Sequence, residues 1–453
     1  MRGSLTTRTA HSFTKMPTSP LITVKSIYLH PRDDSRMWGA WIDLPSAGTT
    51  RDVYSLSIVG WVLSRGPRAV AVEYLHAGTV LGRAPVNIPR PDLVTAFPVA
   101  QDAQSGGFRV SFSAVRLPCV ADIFVQAVLA DESRVPIAVI TIERQPIASS
   151  YAPRLQPLII STLGRTGSTW VARVLGEHPQ IAAYRPFEYE PRLTSYWLEM
   201  LRTTAEPCSY YQALDGELYD DTWWLGTRRQ TPPPVQLLDE NITRWFARDT
   251  VQSVAGFAME RIDSFYSEVA RMQGKTDAVF FTEKCWPGTY VPQALAELYP
   301  RGKEIILVRD FRDMVCSILS FNKKLGYASF GRELTDSDEK FIKQTRVSAV
   351  RTLEHWRERG KASHLLRYED LILRPEATLR EVLGYLGLDA SDAAVAGTLA
   401  RAHALTPELQ KGHSTSKDPA ASIGRWRRDL DEKLRALCCE TFGDVLEQLG
   451  YDT

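Results

Sequence analysis

Leu158-Ile159-Ile160-Ser161-Thr162-Leu163-Gly164-Arg165-Thr166-Gly167-Ser168-Thr169-Trp170-Val171-Ala172-Arg173-Val174-Leu175 decides how the rest of the chain is read. An apolar run of a length suited to a buried strand comes first. Two glycines three residues apart follow, then hydroxyl residues and a helical apolar pattern, which together predict strand, tight turn and helix start. Glycine lets backbone approach a ligand with no Cβ in the way. The helix that follows aims unpaired N–H groups and the positive end of its dipole at one point. Arg165 adds a permanent charge, and Ser168 and Thr169 add hydroxyl donors. Gly-x-x-Gly alone is no more than an ordinary βα turn; with Arg165, Ser168 and Thr169 in it, the turn reads as a phosphate or sulfate site. It is not a Walker loop, because it lacks both the four-residue spacer between glycines and the Lys before Ser/Thr.

Downstream, strands are expected at 278–282, 304–308 and 364–367. They alternate with helices at 168–177, 257–272, 289–298, 314–322, 336–359, 375–386 and 430–449. That alternation predicts a three-layer α/β domain around a parallel sheet. Arg309 stands where the 304–308 strand ends, on the ligand-facing edge of such a sheet. Ser317 follows eight residues later, early in the next helix. Both can converge on a second anion, Arg as a fork and Ser as a hydroxyl donor. Taken alone, Arg309 pairs equally well with its neighbours Asp310 or Asp313.

The Gly164–Trp170 turn resembles the 5′-phosphosulfate loop of sulfotransferases that use 3′-phosphoadenosine 5′-phosphosulfate (PAPS), with Thr166 a mild departure. Ile305-Ile306-Leu307-Val308-Arg309-Asp310-Phe311-Arg312-Asp313 with Ser317 resembles their 3′-phosphate motif, although Phe311 stands where Pro is common. Glu283-Lys284 before Trp286-Pro287, Arg367-Tyr368-Glu369-Asp370-Leu371 and Gly424-Arg425-Trp426-Arg427 are similar to further elements of that family, the last being its cofactor-closing loop. The resemblance covers residue 157 to the C-terminus. It implies a P-loop-like fold and PAPS as sulfate donor with no metal required. Gly164, Arg165, Thr166, Gly167, Ser168, Thr169, Trp170, Arg309, Ser317, Arg425 and Trp426 would hold the cofactor. A sulfuryl group carries less negative charge than a phosphoryl group, so loop donors and Arg165 suffice for charge building on the leaving phosphate.

An acceptor hydroxyl needs a base. Glu188 and Glu190 follow the first helix, and carbohydrate sulfotransferases carry a base Glu at a comparable place. Glu188 is taken as the catalytic base and Glu190 as its support, although in an extended segment both point to the same side. His178, before Pro179, reads as a helix cap; His355 and His403 read as structural. The aromatic-rich stretch 184–229 reads mostly as core under a lid, with an acceptor pocket as its functional alternative.

Residues 21–147 carry short β-branched and alternating runs at 21–29, 53–63, 69–76, 107–115, 122–130 and 134–142, punctuated by turn residues. An all-β sandwich without a catalytic constellation is expected. Residues 148–157 read as a Pro-containing linker between that domain and a transferase domain at 158–453. Residues 1–20 read as a disordered leader, within which Met16 is an alternative start. The 453 residues, 44% hydrophobic and 24% charged, are globular values. A net charge of +1 gives no reason to expect nucleic acid or acidic lipid. Six cysteines without Cys-x-x-Cys spacing argue against zinc and a disulfide framework, and no apolar run has membrane-span length. The expectation is a cytoplasmic enzyme acting on a hydroxylated carbohydrate or small metabolite. A nucleotide-dependent kinase and a non-catalytic nucleotide- or carbohydrate-binding protein are the alternatives, and the oligomeric state is not legible.

Overall fold

The computed structural model describes residues 19–205, 248–404 and 419–452, the side chains of Phe187 and Glu188 excepted. The chain forms two compact units, Met1–Gln145 with Ala205–Asp249, and Pro146–Thr204 with Thr250–Thr453. Residues 1–18 of the leader, and the part of the aromatic-rich stretch beyond residue 205, lie outside the described residues.

The first unit is all-β, with strands β1 (Ile22–Leu29), β2 (Met37–Leu44), β3 (Thr50–Arg51), β4 (Ser55–Ser64), β5 (Ala69–His76), β6 (Thr79–Ile88), β7 (Gly107–Ser113), β8 (Val120–Leu129) and β9 (Arg134–Arg144). A short helix, α1 (Pro91–Ala96), joins β6 to β7. The strands run in the order β2-β4-β7-β6-β5-β8-β9-β1-β3. The expected sandwich therefore has joined arms: β6 pairs antiparallel with both β5 and β7. Val24, Ile58, Val72, Phe112, Ile123 and Ile140, drawn from both ends of that order, share one core, so the sheet curls over itself. β2, β3 and β6 escape the sequence reading. Gly82 interrupts the β6 pattern because a Cβ there would sit 2.3 Å from the Tyr74 hydroxyl of the neighbouring strand.

The second unit is the expected α/β domain. Its strands are β10 (Gln156–Thr162), β11 (Ile181–Ala183), β12 (Phe280–Cys285), β13 (Lys303–Val308) and β14 (Ser363–Arg367). All pair in parallel, in the order β11-β12-β10-β13-β14. Its described helices are α2 (Ser168–Gly176), α3 (Pro186–Tyr189), α4 (Leu193–Ala205), α5 (Thr250–Met272), α6 (Tyr290–Leu298), α7 (Phe311–Leu325), α8 (Asp338–Arg359), α9 (Tyr368–Leu373), α10 (Pro375–Leu386), α11 (Asp392–Ala404), α12 (Trp426–Asp429) and α13 (Glu432–Gln448). Period-two alternation sends the strand residues to two cores. Leu158, Ile160, Ile305 and Leu307 pack with Val174, Leu383 and Leu399 of α2, α10 and α11. Ile306 and Val308 pack with Val315, Leu353 and Phe442 of α7, α8 and α13. Both faces are covered, which gives three layers. Among the described residues no helix is long and apolar enough to cross a membrane.

The stretch 148–157 is not a free linker, and β10 already begins at Gln156. Ile147 and Leu155 are buried. The carboxylate of Asp263 on α5 accepts from the Tyr151 hydroxyl (3.0 Å) and from the Arg154 and Leu155 N–H groups (3.0 and 2.9 Å). Two prolines and a Ser-Ser pair suggest a tether from composition alone; one buried acid on a distant helix makes it part of the fold. Asp263→Ala should lower the unfolding free energy of the full chain in denaturant titrations by roughly 1–3 kcal/mol for each orphaned donor, whereas an unattached tether predicts no change.

Candidate active site

From β10 the chain crosses toward β11 on one side, while β13 and β14 lie on the other. The crevice between the C-terminal ends of β10 and β13 is thus a topological switch point, where open α/β sheets bind ligands. The parallel register Leu158↔Lys303 to Thr162↔Leu307 places the Gly164–Gly167 turn beside Arg309.

Gly167 is the N-cap of α2, with φ 89° and no side-chain cap bond; the Trp170 N–H donates to its carbonyl (3.0 Å), which leaves the opening N–H groups at Ser168 and Thr169 to a ligand. Both glycines are required by their neighbours. A Cβ on Gly164 would lie 2.5 Å from the Phe330 ring, and one on Gly167 would lie 2.3 Å from Tyr368. Thr166 is buried, with its hydroxyl 2.5 Å from that of Thr162 and donating to the Leu163 carbonyl (2.9 Å). Its side chain therefore closes the turn, and only its backbone N–H is left for an anion. Arg165 has left-handed backbone (φ 65°), uncommon for a side chain of this size. Its Nε donates to Ser317 Oγ (3.3 Å), and its guanidinium carbon lies 4.3 Å from the Phe321 ring centre.

On the β13 side three parts of the chain meet. Arg309, buried, donates through Nη1 to the Arg165 carbonyl (3.3 Å) and through Nη2 to the Ser422 carbonyl (2.7 Å). Its Nε is buried without a hydrogen-bond partner among the described residues. The two acids next to it in sequence are engaged elsewhere. Asp310 caps α7 through the Arg312 N–H (2.9 Å) and pairs with the Arg312 guanidinium (2.8 Å). Asp313 accepts from the Gly424 and Trp426 N–H groups (2.7 and 2.9 Å), and burial raises its pKa above the ordinary carboxylate value. A buried guanidinium with an unsatisfied N–H and no neighbouring carboxylate bonded to it fits an anion.

The stretch 422–427 is held at the same place, by Arg309 on Ser422 and by Asp313 on Gly424 and Trp426. Arg425, buried, pairs with Asp429 (2.7 Å) and donates to Ser320 (2.9 Å), one turn beyond Ser317 on α7. The Trp426 ring belongs to the core beneath α7, with Arg312 and Arg427 on it at 4.2 and 4.4 Å. Trp170 lies beside His403, ring centres 5.0 Å apart, and packs on the core under α2. Both tryptophan rings pack on the protein core.

On the β12 side lies a group the sequence reading did not assign. Lys284, at the end of β12, donates to Thr169 Oγ1 (2.9 Å) and to Glu190 Oε1 (3.0 Å). Its side chain is 5% exposed, against 41% for Glu190. Arg192 lies 3.7 Å from the other Glu190 oxygen. The signal was a Lys one residue after a buried strand Glu, with nothing in sequence to show what it reaches. Glu283 itself is a positioning residue. It is fully buried, burial pushes its pKa up, and it accepts from the Leu193 and Thr194 N–H groups and the Tyr266 hydroxyl, anchoring the start of α4.

The segment carrying Glu188 is not extended. Pro186 starts a single helical turn that ends at Tyr189 with φ 64°, so Glu188 and Glu190 do not share a face by strand periodicity. The Glu188 side chain lies outside the described residues. His178 accepts the Gln180 N–H within its turn (3.2 Å) and His355 bonds the buried Glu304 (2.7 Å), which are structural roles. Tyr184 and Trp197 pack against α5, the core reading of these aromatic residues.

The Gly164–Gly167 turn and the Arg309 strand end thus meet at the switch point of a three-layer α/β unit. Residues 157–392 match the model of the sulfotransferase family, more than half of the chain, and the chain belongs to that family. Among solved structures it is similar to the sulfotransferase domain of the curacin biosynthetic pathway (15% identity over 67% of this chain and 99% of that one, TM-score 0.38). It is also similar to the sulfotransferase domain of the Synechococcus PCC 7002 olefin synthase (18%, 69% and 100%, 0.39). A third likeness is to mouse sulfotransferase SULT7A1 complexed with PAP (11%, 66% and 86%, 0.36). These likenesses are shallow, and the assignment rests on the family model. No curated protein matches the chain.

Proposed function

We propose that this protein transfers the sulfuryl group of PAPS to a hydroxyl of a carbohydrate or small metabolite. The observation that carries the reading is the division of the Gly164–Gly167 turn. Arg309, Ser317 and Arg165 gather on its β13 side, and Lys284, Thr169 and Glu190 on its β12 side. Bound there, PAPS would supply the sulfuryl group and a phosphate leaving group. The residues fit it: Arg309 with its unsatisfied Nε and Ser317 would take the 3′-phosphate. The uncapped first turn of α2, with Ser168 and Thr169, would take the 5′ end.

Arg165 is turned toward Ser317, so its role becomes nucleotide binding, and the cation beside Thr169 is Lys284. Lys284 would offset charge building on the leaving phosphate and orient Glu190. Glu190 then becomes the member of the Glu188/Glu190 pair placed to take the acceptor's proton, with Glu188 the test case beside it. Cys285, Cys316, Cys438 and Cys439, among the described residues, are free thiols, which supports a reducing cytoplasm as the site of action.

Adenosine 3′,5′-bisphosphate should raise the melting temperature of the full chain in the presence of EDTA, by mass action. ATP with Mg²⁺ should raise it less. Equal or greater stabilisation by Mg-ATP would favour a kinase, and stabilisation without transfer of labelled sulfate to any hydroxylated acceptor would favour a non-catalytic binding protein.

A further inference from the structure

The first unit carries a cleft of about 560 Å³ for which the transferase site has no use. Leu29, His30, Arg32, Asp34, Trp41 and Trp61 are among its lining residues. Its volume is in the range of small-ligand sites, about 300–1,000 Å³.

Three features of its walls define a ligand. The first is a pair of tryptophans side by side on neighbouring strands. Trp41 and Trp61 are direct cross-strand partners on β2 and β4. Trp61 lies against the backbone of Gly39, where a Cβ would come within 2.8 Å of its ring, and Phe97 holds it from the side at 5.5 Å. Trp41 is 51% exposed. A large aromatic ring left half in water on a strand is a costly way to finish a surface, but it provides a stacking face. The second feature is a polar rim. Arg32 pairs with Asp34, and Asp33 lies beside them. One guanidinium and two carboxylates offer hydrogen-bond donors and acceptors and disfavour an anionic ligand. The third is a blocked strand edge. β2 ends the sheet order, but Arg32 Nη1 donates to the Trp38 carbonyl (3.1 Å) and Arg65 Nε to the Met37 carbonyl (3.3 Å). Those carbonyls are not open to an added peptide strand.

A ligand that stacks on aromatic rings, hydrogen-bonds to a guanidinium and to carboxylates, and carries no negative charge is a neutral saccharide. We propose that this cleft is a binding site for a neutral glycan, whose sugar rings stack on Trp41 and Trp61 and whose hydroxyls are met by Arg32, Asp34 and His30. The cleft lies wholly in the first unit and shares no residue with the candidate active site, so the proposal does not depend on the reading given for that site.

The test uses the full chain. It is probed on an array of neutral glycans built from α- and β-linked glucose, galactose, mannose and N-acetylglucosamine, with sulfated and sialylated glycans as charged controls. The strongest neutral glycan is then titrated by calorimetry. Trp41→Ala, with circular dichroism unchanged, should weaken binding about five- to tenfold, the scale of one aromatic stacking contact. Trp41→Phe should restore most of it, and Asp34→Ala should weaken it as well. Binding should persist in Glu190→Gln and Arg309→Ala. Retention of no neutral glycan, or of charged glycans only, overturns the proposal. So does binding untouched by Trp41→Ala. Binding lost in Glu190→Gln but kept in Trp41→Ala would place the glycan in the transferase centre as acceptor, and would overturn the cleft while leaving the transferase reading standing.

Discussion

Glu190→Gln is expected to lower turnover by about 10²–10⁴-fold, the usual worth of a general base, with affinity for adenosine 3′,5′-bisphosphate unchanged. The expectation rests on a short chain of contacts. Thr169 sits in the first turn of α2, where the transferred group would lie. Lys284 bonds Thr169 and Glu190 together, and its own side chain is almost fully covered. Glu190 keeps the exposure that an acceptor needs to reach it. The amide of Gln preserves size and can still bond Lys284 through its oxygen, so the loss measures proton uptake rather than collapse of the loop. Glu188→Gln is the matched control and should lose much less. The reverse result, with Glu190→Gln active and Glu188→Gln dead, would return the role to Glu188. Two active variants would put the base outside this segment. Lys284→Ala should also lose turnover, because it removes both a charge beside Thr169 and the group that holds Glu190. Steady-state rates and nucleotide affinity, measured on the same preparations, separate these cases.

Arg309→Ala should weaken adenosine 3′,5′-bisphosphate by about 1.5–3 kcal/mol, the worth of a charge-assisted hydrogen bond, and 5′-AMP far less. Arg309 also ties the Arg165 and Ser422 carbonyls together. Part of any loss would therefore come from loosened loops and would fall on both nucleotides alike. The difference between the two ligands isolates the 3′-phosphate contact, and titration calorimetry reads it directly. Equal losses would make Arg309 a brace between loops. Ser317→Ala should shift the same difference in the same direction by a smaller amount, since a neutral hydroxyl contributes less than a guanidinium.

Much of the second unit is legible from residues alone. Apolar runs of strand length, each followed by a helical pattern, dictate parallel strands with both faces covered, and β10, β12, β13 and β14 lie where those runs lie. The glycines of the 164–167 turn announce a close approach, and the structure shows two rings, Phe330 and Tyr368, making it. β11 is only three residues long, too short for periodicity to register. α11, six of whose 13 residues are Ala, carries too weak an apolar stripe to be read as a helix.

Local sequence determined that the chain has a Gly-rich βα turn, an Arg/Ser motif at a strand end, and an all-β unit before them. These follow from periodicity and turn chemistry, which act over a few residues. Only tertiary structure decided which side chains share a site. Strand order made β10 and β13 neighbours, and so brought Arg165 to Ser317 across 152 positions of sequence. It made β12 the other neighbour, and so brought Lys284 to Thr169 across 115 positions. It also turned Thr166 and Trp426 inward and bound residues 151–155 to Asp263. The direction of a long side chain depends on what packs around it, and those partners come from strands and helices that no local window contains.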